Sequence, residues 1–253
     1  MIQRERLNVI KKLLKQKHRL STKELADYFN VSFDTARRDV LHLTSTGQAI
    51  RVHGGILELD ESDVPNYLTR QHILSPIKVK MAKIAAHFIH ENQCDFIGPS
   101  TTLVHLCQQI DGKDLEIVTN SVDNALALLT SNLPKVSLLG GELNKKNRYT
   151  HSRQAIDQLE KIRFNTAFIA CARVRKDGVY LDDPYDAELI DIATSRARKV
   201  ILVAENYKFT ARTAAPYMSC SLDKIDVVIT DTALPESMRS LFNKKAQIIS
   251  VDS

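Results

Sequence analysis

Seven short apolar runs constrain the fold of the last two thirds of the chain. They are CDFIG (94–98), LEIVT (115–119), VSLLG (136–140), TAFIAC (166–171), VILVA (200–204), VVIT (227–230) and IISV (248–251). Helical periodicity separates most of them, at 101–110, 121–131, 153–160, 185–198 and 235–243. Strands that are apolar on both faces and alternate with helices are typical of a parallel sheet between helices. The sequence therefore predicts a Rossmann-like, mostly parallel α/β domain.

The first 57 residues follow a different pattern. A helical apolar stripe runs through residues 2–16, and a capping box of Ser21 and Glu24 predicts the start of a second helix. Ser32 is placed to cap a third helix, which Gly47 would end. The runs QAIRV and ILEL then flank a Gly-Gly pair, a pattern that predicts a β-hairpin. Three helices and a hairpin indicate a winged helix-turn-helix.

A linker is predicted between these two parts. The stretch ELDESDVPN is acidic, contains Pro65 and lacks apolar periodicity. We therefore divide the chain into a DNA-binding domain (1–57), a linker (58–74) and an effector-sensing domain (75–253).

Charge separates the two domains as well. The first 55 residues carry eleven Lys and Arg against five Asp and Glu, whereas the remainder carries 24 against 25. A positive excess confined to one segment indicates a polyanionic partner for that segment. The chain has neither a long apolar stretch nor a signal peptide pattern, so a cytoplasmic protein is expected. Its four cysteines lie far apart, which argues against a metal site or a disulfide framework.

The third helix presents polar side chains that suit DNA. If Ala36 points into the core, Asp34 and Arg38 face outward, and Thr35 and Arg37 lie on the flanks. Residues at the start of a recognition helix reach base edges, and arginine binds guanine or phosphate. The alternative is a solvated helix whose arginines pair with Asp34 and Asp39. The residues predicted to contact DNA are Thr22, Ser32, Asp34, Thr35, Arg37, Arg38, Arg51, His53 and Gly54. Arg38 is assigned to the groove and Arg37 to the backbone or to domain packing, while His53 could equally be an ordinary turn residue.

The stretch VSFDTARRDVLHLTSTGQAIRVHGG resembles the signature of DeoR-family transcriptional regulators, which reads V-S-x-x-T-[IV]-R-R-D-L, then L-x-x-x-G and R-x-H-G-G. Shorter ordered matches such as VTNS, LLGGEL and KDGVYL extend the resemblance over nearly the whole chain. It implies a sensor domain similar to ribose-phosphate isomerase and CoA transferase folds. It also implies an oligomeric repressor of sugar or nucleoside catabolism genes, bound to double-stranded operator DNA and released by a phosphorylated sugar.

The resemblance also indicates an effector site, with changes. The family's D-S-G-T-T phosphate loop stands here as Gly98-Pro99-Ser100-Thr101-Thr102, so the Asp and the Gly are replaced and a changed effector is plausible. Hydroxyls at a helix start after a strand still suit a phosphate group. The residues predicted to bind the effector are Ser100, Thr101, Thr102, Asn120, Gly140, Gly141, Arg148 and Lys208. Alternatively, Ser100 is only a helix cap, and Lys208 and Arg148 are surface charges.

A function of another class stays open at this point. A sugar-phosphate enzyme, isomerase-like and carrying a DNA-binding domain, would need a positioned base beside the sugar. Asp123, Glu142, Asp183 and Glu188 are available, but none lies in a recognisable catalytic motif. We therefore predict a regulator without catalytic residues, cofactor or metal.

Overall fold

The computed structural model divides into two compact units, Met1–Pro76 and Ile77–Ser253. It describes residues 2–45, 48–52, 54–58, 76–130, 132–210 and 214–251. Gly47, His53 and nearly all of the predicted linker lie outside these ranges.

The N-terminal unit has the helices and the hairpin that the sequence predicts. Its elements are α1 (Gln3–Lys17), β1 (Arg19–Ser21), α2 (Thr22–Phe29), α3 (Phe33–Ser45), β2 (Ala49–Val52) and β3 (Gly55–Glu58). β2 and β3 are antiparallel, and β1 extends the sheet to the order β1-β3-β2. β1 was not predicted, because three residues are too few to show an alternating pattern. One apolar cluster joins the unit and includes Ile10, Leu14, Leu25, Ala36, Val40, Leu43 and Ile56.

Local sequence explains where the second helix begins and ends. The Glu24 N–H donates to Ser21 Oγ over 3.0 Å, and the Ser21 N–H donates to the Glu24 carboxylate over 2.7 Å. These reciprocal bonds are the predicted capping box. The helix ends at Asn30, whose φ of 49° lies in the left-handed region that asparagine tolerates. The tight turn to α3 follows directly.

The C-terminal unit contains the predicted parallel sheet. Its strands are β4 (Cys94–Ile97), β5 (Glu116–Thr119), β6 (Lys135–Leu138), β9 (Phe164–Ile169), β12 (Ala197–Val203), β14 (Val227–Thr230) and β15 (Gln247–Ser250). All seven apolar runs form strands, and every neighbouring pair is parallel, in the order β6-β5-β4-β9-β12-β14-β15.

Helices cover both faces of this sheet. They are α4 (Pro76–Ala86), α5 (Thr101–Gln109), α6 (Val122–Ala127), α7 (Arg153–Leu159), α8 (Pro184–Ser195), α9 (Tyr207–Thr210) and α10 (Glu236–Arg239). Successive strand residues belong to different apolar clusters: Phe96 packs with α7 and α8, whereas Ile97 packs with α4 and α5. Successive side chains point to opposite faces, so the two clusters are the two sides of one sheet.

Two small antiparallel additions were not predicted. β7 (Glu142–Asn144) pairs with β8 (Tyr149–His151), and β10 (Arg173–Val174), β11 (Gly178–Leu181) and β13 (Tyr217–Ser221) form a three-stranded sheet. Most of these strands are short and partly exposed, so they lack the continuous apolar run that marks the central strands. Two predicted helices are shorter than expected, since α6 ends at Ala127 and α10 spans Glu236–Arg239.

Candidate DNA-binding and effector sites

The outer face of α3 carries the polar residues that the helical wheel predicts. Asp34, Arg37 and Arg38 are exposed and Thr35 is half-buried, whereas Ala36 is only 1% exposed. No described residue forms a hydrogen bond or ion pair with Arg37 or Arg38. The two guanidinium groups are therefore available to a partner, and the pairing with Asp34 and Asp39 that a solvated helix would require is absent within the described ranges.

Asp39 instead fastens α3 to the first helix. Its carboxylate is 1% exposed and accepts two hydrogen bonds from Arg6, from Nε over 2.7 Å and from Nη2 over 3.2 Å. Gln3 donates a third bond over 3.0 Å. The hydrogen bond to Asp39 raises the pKa of Arg6. Two-pronged pairing of this kind fixes orientation as well as position, so Asp39 sets how α3 is held.

Ser32 and Thr35 complete the start of the recognition helix. The Thr35 N–H donates to Ser32 Oγ over 3.2 Å, and the two hydroxyl oxygens are 2.9 Å apart. Ser32 is therefore the helix cap that the sequence predicts, and it is exposed.

The hairpin meets the start of α2. The Thr22 N–H donates to the Gly54 carbonyl over 2.8 Å, and Gly54 is exposed with a φ of 81°, a conformation that favours glycine. Thr22 itself is only 6% exposed. Arg51 lies on β2, but its side chain, like the whole of His53, is outside the described residues.

In the C-terminal unit the strand order marks a ligand crevice. The chain runs from β4 outward through β5 to β6, and then returns with β9 to the other side of β4. Open α/β sheets bind ligands outside the carboxyl ends of the strands at such a reversal. Ser100, Thr101 and Thr102 follow β4 directly, and all three are buried. The Thr102 N–H donates to Ser100 Oγ over 3.1 Å, so Ser100 caps α5.

A buried group of charges adjoins this helix start. Lys78 Nζ donates to Thr101 Oγ1 over 3.1 Å and lies 3.8 Å from Glu205 Oε1, while Lys208 Nζ lies 3.3 Å from Glu205 Oε2. We call Lys78, Thr101, Glu205 and Lys208 the lysine cluster. Its members are between 5% and 8% exposed. Lys208 is therefore not a surface charge.

Two lysines of the cluster share the Glu205 carboxylate. Burial alone would raise the pKa of Glu205, but Lys208 and Lys78 outweigh burial and hold that pKa below its usual value. One carboxylate thus faces two ammonium groups at the end of a helix whose N–H groups already favour anions. The two ammonium groups and the N–H groups at the start of α5 thus place positive charge on the same side of this crevice.

Sequence reasoning found Lys208 but missed Lys78 and Glu205. Lys78 lies three residues before Met81 and so on the inward stripe of α4, where a lysine is out of place unless it has a partner. A lysine on this inward stripe was the sequence signal that could have indicated a buried ion pair. Nothing in the spacing of Glu205 connects it to Lys78, 127 positions earlier.

Asn120 lies beside the same crevice with a buried acceptor. Its Nδ2 donates to Asp186 Oδ1 over 3.2 Å, whereas no described residue donates to its buried Oδ1. An unsatisfied buried polar atom costs on the order of 1–3 kcal/mol. Asn124 joins the neighbouring loops, since its Nδ2 donates to the Gly98 carbonyl over 3.0 Å. The side-chain oxygen of Asn120 is a fitting acceptor for a ligand hydroxyl.

The other candidates have structural partners. Arg148 binds both carboxylate oxygens of Asp123, over 2.6 and 2.8 Å. Gly141 has a φ of 139°, and a β-carbon there would lie 2.1 Å from the His151 carbonyl oxygen, so only glycine fits the start of β7. Gly140 is exposed and its carbonyl accepts from Ser152 Oγ over 2.9 Å. Of the predicted effector residues, Thr101 and Lys208 thus both belong to the lysine cluster, whereas Arg148 pairs with Asp123.

Comparison with known proteins identifies both units. Residues 6–62 match the model of the DeoR-like helix-turn-helix domain, and residues 75–232 match that of the DeoR C terminal sensor domain. The chain belongs to the DeoR family of transcriptional regulators. It is similar to the HTH-type transcriptional repressor GlcR of Bacillus subtilis, with 30% identity over 91% of this chain and 89% of that protein. The lactose phosphotransferase system repressor of Staphylococcus aureus is 28% identical over 95% and 97% of the two chains.

Solved structures match the DeoR sensor domain only distantly. Ribose 5-phosphate isomerase A from Neisseria gonorrhoeae is 17% identical over 54% of each chain, with a TM-score of 0.38. Chaetomium thermophilum eIF2B beta is 15% identical over 60% of this chain and 47% of that one, with a TM-score of 0.39. No functional argument follows from likenesses of this size.

One departure from the DeoR pattern has a steric counterpart. Gly98 stands where the family's phosphate loop has Asp, and a β-carbon there would lie 2.8 Å from Ile190 Cδ1. The Ile190 side chain on α8 thus occupies the room that a larger residue at position 98 would need.

The described residues offer neither a metal site nor a membrane-spanning helix. No group of three or more His, Cys, Asp or Glu there could hold a metal ion. Within the same ranges, no helix combines the length and apolarity needed to cross a bilayer.

Proposed function

We propose that this DeoR-family regulator represses genes of sugar or nucleoside catabolism, and that a phosphorylated sugar-type effector controls its affinity for operator DNA. The observation that carries the DNA half is the outer face of α3, where Arg37 and Arg38 are exposed and available. The lysine cluster carries the effector half. The names of the relatives, which include a lactose phosphotransferase system repressor, support the sugar connection.

Within α3 we assign Arg38 to a base edge and Arg37 to the phosphate backbone. Arg38 lies one turn into the helix on its outermost side, where a guanidinium forks onto guanine. Ser32, Thr35 and the free N–H groups of the helix start suit phosphate oxygens. The proposed contact set also includes Thr22, Asp34, Arg51, His53 and Gly54. Because helix-turn-helix dimers bind paired half-sites, we also propose a homo-oligomer.

The test uses duplexes selected from a random library by the full-length protein. Arg38→Ala should weaken binding to the selected site by roughly 1–3 kcal/mol and relax the preference at one base pair. Arg37→Ala should weaken all duplexes alike and reduce the salt dependence. Arg163→Ala, an exposed arginine of the sensor domain, is the matched control. Failure to select any sequence would overturn the proposed function, and an unchanged Arg38→Ala variant would overturn the base contact.

For the effector we propose a phosphate group at the start of α5 and sugar hydroxyls toward Asn120. The two lysines of the cluster and the α5 N–H groups supply positive charge. The buried Oδ1 of Asn120, to which no described residue donates, supports a hydroxyl-bearing ligand. Gly140, Gly141 and Arg148 are proposed to shape the rim of the site. Loss of the loop Asp removes one acceptor for sugar hydroxyls, so the effector need not be that of the relatives.

The corresponding experiment is a thermal-shift screen with phosphorylated sugars, their unphosphorylated parents and inorganic phosphate. A ligand at about 100 times its Kd should add about 2.7 kcal/mol to the free energy of unfolding. Lys208→Met should abolish the shift, whereas Lys199→Met, which alters an exposed lysine, should leave it unchanged. A ligand that stabilises the protein but does not change DNA affinity would contradict its role as effector.

We propose a regulatory rather than an enzymatic role, because two of the carboxylates that an isomerase could use as a base already have structural partners. Asp183 accepts hydrogen bonds from the Tyr149 hydroxyl and from Asn144 Nδ2, and also caps α8. Asp123 is bound by Arg148. Both are engaged in holding the fold. Incubation with ribose 5-phosphate should give no turnover above buffer, and turnover abolished by Asp183→Asn would contradict this assignment.

A further inference from the structure

Phe33 is an exposed aromatic residue at the first position of α3. Its exposed fraction is 56%, whereas the other apolar residues in the first two turns of the helix, Ala36 and Val40, are 1% and 3% exposed. A phenyl ring left partly in water forgoes part of the free energy that its burial would provide. A single exposed apolar residue is ordinary in proteins, so exposure alone assigns no role.

The position of Phe33 in the recognition helix indicates what its exposed ring could contact. Phe33 follows the cap Ser32 and precedes the exposed Asp34, so it belongs to the first turn of the recognition helix. It lies one turn before Arg37. The N-terminal residues of such a helix are those that reach base edges in the major groove. Phe33 is therefore presented at the base-reading end of the proposed DNA contact.

The chemistry of the side chain restricts what it can read. A phenyl ring has no hydrogen-bonding group, so it cannot distinguish the donors and acceptors of the bases. The 5-methyl group of thymine is the apolar feature of the major groove, and phenylalanine is among the residues that contact it. We propose that Phe33 reads thymine through this methyl group at one base pair of the operator. This inference rests on the proposed DNA-binding function.

The experiment is a cycle of protein and DNA changes on a duplex selected by the full-length protein. Each thymine is replaced in turn by uracil, which removes only the 5-methyl group. One replacement should weaken the wild-type protein about fourfold, as expected for burial of one methyl group. For Phe33→Ala, binding to the unmodified duplex should fall about tenfold or more, and the same uracil should have no further effect.

Two further variants keep the result interpretable. Phe33→Leu retains an apolar contact and should keep both the affinity and the uracil effect in part. Ile2→Ala removes another exposed apolar side chain of the same domain, 65% exposed at the position that precedes α1, and should leave both unchanged. Thermal unfolding should be the same for all variants, since neither side chain is buried.

The outcomes separate this inference from the proposed function. If no duplex is selected, the proposed function fails. If a duplex is selected but no uracil position is coupled to Phe33, or if Phe33→Ala weakens every sequence equally, the methyl contact is overturned while the proposed function stands. A selected duplex without thymine in the region contacted by α3 would overturn it as well.

Discussion

Glu205→Gln tests the lysine cluster most directly. The substitution keeps the shape of the side chain but removes the negative charge that Lys78 Nζ and Lys208 Nζ approach within 3.8 and 3.3 Å. Removing one partner of a buried ion pair costs about 3–5 kcal/mol. For a domain of this size each kcal/mol lowers Tm by about 2–4 °C. We therefore expect the sensor domain of the variant to melt roughly 6–20 °C below wild type.

The decisive measurement is whether an added anion restores the thermal stability that Glu205→Gln loses. Inorganic phosphate can take the place of the lost carboxylate, so its thermal shift should be larger for Glu205→Gln than for wild type. The assay is differential scanning fluorimetry of the full-length protein at fixed ionic strength, with chloride in place of phosphate as the blank. Glu188→Gln, on the exposed face of α8, is the matched control and should behave as wild type. Equal phosphate shifts in Glu205→Gln and wild type would refute the anion site.

Acid provides an independent check on the same group. The folded protein holds the pKa of Glu205 below its usual value of 4.5. The ionised carboxylate therefore stabilises the fold above about pH 4.5, and this contribution is lost as pH falls through the folded pKa. The stability difference between wild type and Glu205→Gln should shrink in that range. A difference that stays constant down to pH 3 would contradict the ionic role of Glu205.

Two predictions concern other buried carboxylates. Burial raises the pKa of Asp95 from its usual 3.8 to about 6, and its Oδ2 has no partner among the described residues. The free-energy cost of this carboxylate to folding therefore grows as pH rises from about 3.8 to about 6 and is complete above that range. Asp95→Asn should stabilise the sensor domain by up to about 3 kcal/mol at pH 7.5 and by under about 1 kcal/mol at pH 4, measured by urea unfolding, and a gain independent of pH would contradict the assignment. Asp39→Asn removes the carboxylate that the buried Arg6 guanidinium binds, and it should lower the free energy of unfolding by about 3–5 kcal/mol, seen as faster hydrogen exchange in α1 and α3. The control Asp34→Asn alters an exposed side chain and should lower that free energy by under about 0.5 kcal/mol. Equal exchange rates in the two variants would show that the Arg6–Asp39 pair does not hold the two helices together.

The sequence was sufficient for those parts of the fold that depend on local periodicity. The central strands are buried on both faces and so give apolar runs, and Ser21 and Ser32 are caps because their hydroxyls act within three residues. The strand order was not predictable, because it depends on pairing between distant segments such as β4 and β9. The hairpin of β7 and β8 lacks a continuous apolar run, and so it was missed.

The candidate sites divide in the same way. The outward residues of α3 follow from a helical wheel, which needs only the spacing along one helix. The lysine cluster needs contacts between Lys78 and Glu205, which are far apart in the sequence and lie on different elements. Asp39 shows the limit of a local reading: the same spacing that suggested a pair with a neighbouring arginine could not reveal Arg6, 33 positions away.

The division of α3 into two faces has a consequence for evolution and for design. Asp39, Ala36 and Val40 connect the helix to the rest of its domain, whereas Arg37 and Arg38 contact no described residue by hydrogen bond or ion pair. Substitutions of the outward residues should therefore change the free energy of unfolding only slightly. A duplicated copy of this gene could acquire a new operator by changing a few surface positions, and the same positions could be exchanged deliberately to direct the regulator to a chosen promoter.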